Sequence, residues 1–287
     1  MGSGRIDTRA VGLEAGCALA RWLTGKEHMH YGLWAGLDPI AANLGAAQEA
    51  YSRRLFGLFP EGRLRILDIG GGAGETAKRL IGMGHSVEIV VPSAFLAGRC
   101  RENAPGAVVH EAMFEEARVT GPFDLCLFSE SFQYIRLHDS LPRAKALLAP
   151  GGAIVIGDVF RRDGGPWVTN PHRTVGGGHV LSTFRKVVAQ EGLVIEAEEE
   201  VTDEVAPSID LEQAFFNVLG VGLSGMDREL RLHRPWLRGM AVGVIGRLMG
   251  ERRRASLVRR LTAGDRTAKA FRASNHYLLM RLRPAAD

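Results

Sequence analysis

The chain has 287 residues, 46% hydrophobic and 24% charged, which suits one large α/β domain or two small ones with a sizeable core. Its formal net charge of +4 is mild, and spread Lys and Arg read as a solvated surface, not as a nucleic-acid footprint. Three widely spaced cysteines, Cys17, Cys100 and Cys126, form no CxxC pair, which speaks against a disulfide framework or a cysteine zinc site and fits a reducing cytosol.

The opening stretch MGSGRIDTRA has no apolar core of the kind a signal peptide needs, and Ile6 stands where a myristoylation motif requires Ser or Thr. A cytoplasmic protein is expected. Residues 5–60 read as largely helical and contain the aromatic, histidine-rich segment KEHMHYGLW. From about residue 64 the pattern alternates, with strands expected at 65–70, 86–91, 106–110, 123–129, 152–158, 193–201 and 275–283. Helices are expected near 74–83, 94–103, 137–148 and 179–191. Such alternation with continuous apolar strands predicts a mostly parallel sheet covered on both faces. Residues 203–272 read as helical again. The expected organisation is a helical segment or lid over 1–60, an α/β core over 61–202 and 273–287, and a helical insertion over 203–272 forming an acceptor pocket or lid.

The stretch RILDIGGGAGETAKRL (65–80) runs from an apolar strand through a glycine-rich turn into a helix. A phosphate-binding P-loop needs Lys-Ser/Thr after its last glycine, whereas Gly74 is followed by Glu75, whose charge repels phosphate. A dinucleotide fingerprint fits formally as Gly72-x-Gly74-x-x-Ala77, but it sets a pyrophosphate close to the same glutamate. S-adenosylmethionine carries no phosphate. It suits the run Asp68-x-Gly70-x-Gly72-x-Gly74, with an acid at the strand tip for its amine and glycines that admit close backbone approach.

Further on, LLAPGGAIVIGD (147–158) reads as a helix end, a Pro-Gly-Gly turn and a strand closing on an acid. With the late pair of strands, these residues resemble the class I S-adenosylmethionine-dependent methyltransferases over residues 64–200 and the final strand. The resemblance implies a Rossmann-like, doubly wound seven-stranded sheet in the order 3-2-1-4-5-7-6 with strand 7 antiparallel. It also implies S-adenosylmethionine as cofactor, lying across the ends of strands 1 and 2 against Asp68, Gly70, Gly72 and Gly74, with S-adenosylhomocysteine as product. Glu111 after strand 3 is then expected to face the adenine amino group, with Ala112 and Met113 by the ring and Ser129 at the end of strand 4.

Strand 2, SVEIVVPSAFL, departs from the broad family: Val91, followed by Pro92, stands where an acid usually holds the ribose hydroxyls, and Glu88 comes too early. A subgroup also lacks that acid, the cyclopropane-fatty-acid-synthase-like and tocopherol- and natural-product methyltransferases. HMHYGLW (28–34) resembles its entry segment, and LFSESFQYI (127–135) resembles its ES motif, with Glu130 and Ser131 in place. Tyr134 stands where many members have histidine, and Leu96 where several have glutamine.

Methyl transfer is an in-line displacement that asks the protein to align an acceptor and exclude water; oxygen and nitrogen acceptors can also need a base. Tyr134, Glu130 and His30 are the candidate catalytic residues, with Asp158 a further carboxylate near the strand ends. Tyr31 and Trp34 are expected to cover the methionine end of the cofactor. His28 and His30 lack a third ligand, so no metal is expected, and His276 reads equally as a core residue or a pocket wall. The stretch 235–261 places apolar residues beside Arg252, Arg253 and Arg254, compatible with a lid, a membrane-surface helix or a packed helix.

The expected activity is methylation of a small, apolar natural-product or lipid acceptor, at oxygen before carbon. The alternative is cyclopropanation, cyclisation or another rearrangement on the same fold. Nucleic acid is not an expected partner, since strand 4 lacks an NPPY-type motif. Peripheral membrane contact through 235–261 and a monomer or homodimer complete the expectation.

Overall fold

Apolar runs recur between the helical stretches and form strands, those at the centre of the sheet, β1 and β4, being buried on both faces. β1 (Arg65–Ile69), β2 (Ser86–Val91), β3 (Val108–Glu111) and β4 (Phe123–Ser129) make one parallel block. β5 (Leu148–Arg161) joins it in parallel, and β7 (Asn275–Pro284) lies antiparallel between β5 and β6 (Leu193–Glu200). The resulting order is β3-β2-β1-β4-β5-β7-β6, as the sequence resemblance implies. The computed structural model describes residues 8–169, 175–248, 258, 260–261, 264 and 266–285.

Because strand side chains alternate, each strand feeds two cores. Ile66, Ile89, Val91, Leu125, Leu127 and Val155 point to one face. There they meet α2 (Leu44–Phe56), α3 (Glu75–Gly82) and α4 (Ala94–Asn103) through Tyr51, Leu55, Leu80 and Ala97. Leu67, Ile69, Cys126, Phe128, Ile154 and Ile156 point to the other, against α5 (Leu137–Ala146) and α6 (Leu181–Gln190). Phe132, fully buried, has Phe128, Phe160, Phe184 and His179 around it at ring-centroid distances of 5.2–6.2 Å. Truncating it leaves a cavity that four rings cannot close, so Phe132→Ala is expected to cost about 3–5 kcal/mol in urea unfolding.

The expected Pro-Gly-Gly turn before strand 5 lies inside the strand. Pairing steps from Phe123–Leu148 to Leu125–Ala153, so residues 149–152 loop out as a bulge, with Gly151 at φ 77°.

The N-terminal region forms α1 (Thr8–Thr24), an irregular segment over 25–40 with a turn at 34–37, and α2. After β6 come α7 (Thr202–Val205), α8 (Pro207–His233) and α9 (Pro235–Leu248), and α10 (Ala268–Ser274) leads into β7. α8 is buried at Ser208, Ile209, Gln213 and Gly220, and beyond Gly220 it is mostly exposed. Arg252, Arg253 and Arg254 lie outside the described residues. No helix among the described residues is long and apolar enough to cross a membrane.

Candidate active site

At the carboxyl ends of β1, β2 and β4 a cavity of about 790 Å³ opens, within the size range of small-molecule sites. Its floor is the glycine turn. Gly70, Gly72 and Gly74 have φ of 76°, 55° and 88°, values that admit glycine at no steric cost. The glycines divide the labour. A side chain at Gly70 would run into Ser131, one at Gly71 would lie 2.6 Å from the Asp68 carboxylate, and one at Gly74 would lie 2.9 Å from Cys100 Cα. At Gly72 it would meet nothing within 4 Å, because that position faces the open cavity.

Asp68, at the tip of β1, lines the cavity with both carboxylate oxygens buried and without a hydrogen-bond partner. Burial pushes its pKa up to about 7. A buried carboxylate with no protein donor is set up to receive one from a ligand. Val91, Pro92, Met113, Ser129, Glu130, Tyr134 and His30 also line the cavity. Leu96, Phe95 and Ile135 supply apolar wall.

Glu130 follows β4 at φ 55°, a conformation that costs a non-glycine residue on the order of 1–2 kcal/mol. Its Oε1 accepts from the Tyr31 backbone N–H at 2.7 Å and from the Tyr277 hydroxyl at 2.7 Å. Desolvation raises its pKa to about 8, although those two donors pull the other way. The Tyr51 hydroxyl lies 3.1 Å from that of Tyr277 and 3.3 Å from Ser129 Oγ, which extends the network under the cavity wall.

The histidine segment is fixed from below. Gln48 Nε2 on α2 donates to the carbonyls of His28 and His30, and the His30 ring stacks on Tyr51 at 4.5 Å. His30 Nδ1 donates to the Tyr31 carbonyl at 2.8 Å, a tautomer assigned from that contact, so Nε2 accepts from His28 Nδ1 at 3.1 Å. Burial and the neighbouring His28 hold the pKa of His30 near 3. Both ring nitrogens are engaged within the protein. No group of three metal-ligating side chains stands together among the described residues.

Four of the residues expected at the cofactor do not line this cavity. Trp34 is buried away from the cavity, its Nε1 donating to Ser208 Oγ at 2.8 Å, where it fastens the N-terminal segment to α8. Tyr31 packs against the core and reaches the site only through its backbone N–H. Glu111 is exposed beside Arg101 at 3.6 Å, and Ala112 is turned into the sheet edge, its N–H donating to Val91. The acid after β3 that does line the cavity is Glu115, which has a buried carboxylate oxygen without a partner. Asp158 is buried with its oxygens held by the N–H and side-chain amide of Gln133 and by the N–H of Val159, as a cap for the turn over 132–134. No described residue of the 203–272 insertion lines the cavity.

The N-terminal segment covers one side. Leu13, Glu27, His28 and Met29 line the cavity, and Glu27 is clasped by Arg21 and by Arg99 and Asn103 of α4.

No protein-family model matches this sequence, and no curated protein sequence matches it. Among solved structures, the fold is shared with enzymes of class I S-adenosylmethionine chemistry, and this chain has that class I methyltransferase fold. It is similar to the cyclopropane synthase MmaA2 from Mycobacterium tuberculosis at TM-score 0.65 and 16% identity, over 97% of this chain and 100% of that one. It is similar to the 4+2 cyclase SpnF at TM-score 0.65 and 15% identity, over 97% and 96%. Geranyl diphosphate C-methyltransferase from Streptomyces coelicolor A3(2), solved with magnesium, geranyl diphosphate and S-adenosylhomocysteine, matches at TM-score 0.62 and 16% identity, over 95% and 98%.

Proposed function

We propose that this protein transfers a methyl group from S-adenosylmethionine to a small, apolar acceptor, a natural product or lipid, at oxygen in preference to carbon. The observation that carries the cofactor is the partnerless Asp68 carboxylate beside Gly72, where the backbone lies open to the cavity. Asp68 would take the ammonium of the methionine tail, the glycine turn would lie along that tail, and Val91, Pro92 and Met113 would flank the adenosine. When bound, the cofactor supplies an electrophilic methyl on a sulfonium. The protein's own part is to align the acceptor, exclude water behind the N-terminal segment, and hold Glu130 and Tyr134 at the wall where an acceptor proton can leave.

Calorimetry with S-adenosylhomocysteine tests the assignment. An ammonium against Asp68 favours the ionised carboxylate and lowers its pKa below the free value of about 7. Binding therefore releases a proton at acidic pH. Affinity is expected to rise by up to about tenfold per pH unit as pH increases toward 7, then to level off, with a flat profile in Asp68→Asn. No binding by the parent rejects the cofactor.

A second reading, a rearrangement or cyclopropanation on the same cofactor, is favoured by His30, whose nitrogens are both engaged and which offers no histidine base. Methyl transfer and cyclopropanation both add a net CH2, so an unchanged product mass marks only a rearrangement. Proton NMR separates the other two, a new methyl signal supporting transfer and upfield cyclopropane methylene signals supporting cyclopropanation.

A further inference from the structure

Cations and acids balance unevenly along the chain. Residues 227–248 carry five arginines and two acids, so this stretch holds +3 of the net +4. Exposed apolar side chains gather in the same place. Eleven of the twenty-two exposed large hydrophobics among the described residues fall between Val218 and Val244. Val218, Val221, Met226, Leu232, Trp236 and Met240 are each 60–75% exposed. On α8 the apolar side chains occupy one broad arc, interrupted by Glu229, which lies beside His233 at 3.4 Å, and Asp227, Arg228 and Arg231 occupy the opposite one. Asp227 pairs with Arg231 at 2.9 Å and, across to α9, with Arg238 at 2.7 Å. Arg228 and Arg234 make no ion pair among the described residues.

We propose that the hairpin of α8 and α9 is a docking surface for an anionic lipid bilayer. Arginines answer the lipid phosphates, and the apolar arc with Trp236 suits the boundary between headgroups and acyl chains. A nucleic acid would use the arginines alone and leave the apolar arc in water. Neither helix can cross a membrane, so the contact is peripheral. The inference does not depend on which cofactor the cavity holds, because no cavity-lining residue lies on the hairpin.

The test is co-sedimentation of the full chain with vesicles of phosphatidylcholine alone and of phosphatidylcholine mixed equally with phosphatidylglycerol. Binding is expected to the mixed vesicles, to weaken as salt rises, and to shift the emission of Trp236 to the blue, a shift absent in Trp236→Phe. Arg228→Gln with Arg234→Gln is expected to lower the partition coefficient roughly tenfold or more. Trp236→Ser with Met240→Ser is expected to lower it similarly. Both double variants alter exposed side chains and should melt as the parent does, which a thermal scan checks. Equal binding to neutral vesicles, no binding, or binding indifferent to both variants overturns the proposal. So does a dimer that the Trp236 and Met240 changes dissociate, which would assign the face to a second copy. Binding to RNA but not to vesicles would assign it to nucleic acid.

Discussion

Gly72→Arg is expected to weaken S-adenosylhomocysteine binding by more than ~100-fold, while lowering the melting temperature by only about 2–6 °C. The two effects separate because of where this glycine sits. Its φ of 55° charges an arginine on the order of 1–2 kcal/mol, but no atom lies within 4 Å of the added Cβ. The long side chain therefore enters the cavity and occupies it, leaving the core undisturbed. Gly74→Ala is the contrasting case. Its methyl lies 2.9 Å from Cys100 Cα, a backbone atom that cannot swing aside, so binding and folding should fail together. Calorimetry and thermal melts on the two variants check the division. An arginine variant that binds at full strength would place the ligand elsewhere.

Glu130 is the second position with a large expected effect, and here the shape of the substituent decides the outcome. Alanine leaves the Tyr31 N–H and the Tyr277 hydroxyl without their acceptor, so Glu130→Ala is expected to cost about 2–4 kcal/mol and to loosen the segment over 28–34. Urea unfolding and limited proteolysis report both. Glutamine keeps an oxygen in place for the same two donors and should cost under about 1 kcal/mol. It cannot accept a proton. If the acceptor atom is oxygen, Glu130→Gln is expected to slow transfer by roughly 10²–10⁴-fold. The parent rate should then rise with pH through about 8, because the base works only when ionised and its pKa is raised, and the variant should lose that limb. A glutamine variant with full activity would assign Glu130 to holding the entry segment alone.

Much of the fold is legible in the sequence because its signals are local. The apolar runs that become β1, β2 and β4 end within a residue of their expected limits, and Asp68 and Gly72 lie in one turn whose chemistry needs no distant partner. Strand 5 was harder, because the signal for a turn and the signal for a bulge are the same Pro150-Gly151-Gly152. Only the pairing partner, Phe123 and Leu125 on β4, decides between them. The wall of the site was the least legible. Tyr51 and Tyr277 are 226 positions apart and meet only because β7 inserts next to β5. Trp34 reads as a ligand cover in its aromatic segment, yet its partner, Ser208, is 174 residues away. Glu111 and Glu115 carry the same chemistry four residues apart, and the turn after β3 selects the later one for the cavity.

The placement of β7 between β5 and β6 has a consequence for how the chain is made. Among the described residues β6 pairs with no strand but β7, and more than seventy residues are synthesised between the end of the one and the start of the other. Throughout that interval β6 stands as a bare strand, and the flank of β5 that β7 will cover stays open, the condition under which nascent sheets pair with the wrong neighbour. Glu196, Glu198, Glu199 and Glu200 make β6 a poor template for such pairing through mutual repulsion between copies. On folding, each finds a cation: Arg281 and Arg283 for Glu196, Arg185 for Glu198, Arg54 for Glu199 and Arg162 for Glu200. The same four carboxylates thus guard the unfinished chain and fasten the finished sheet.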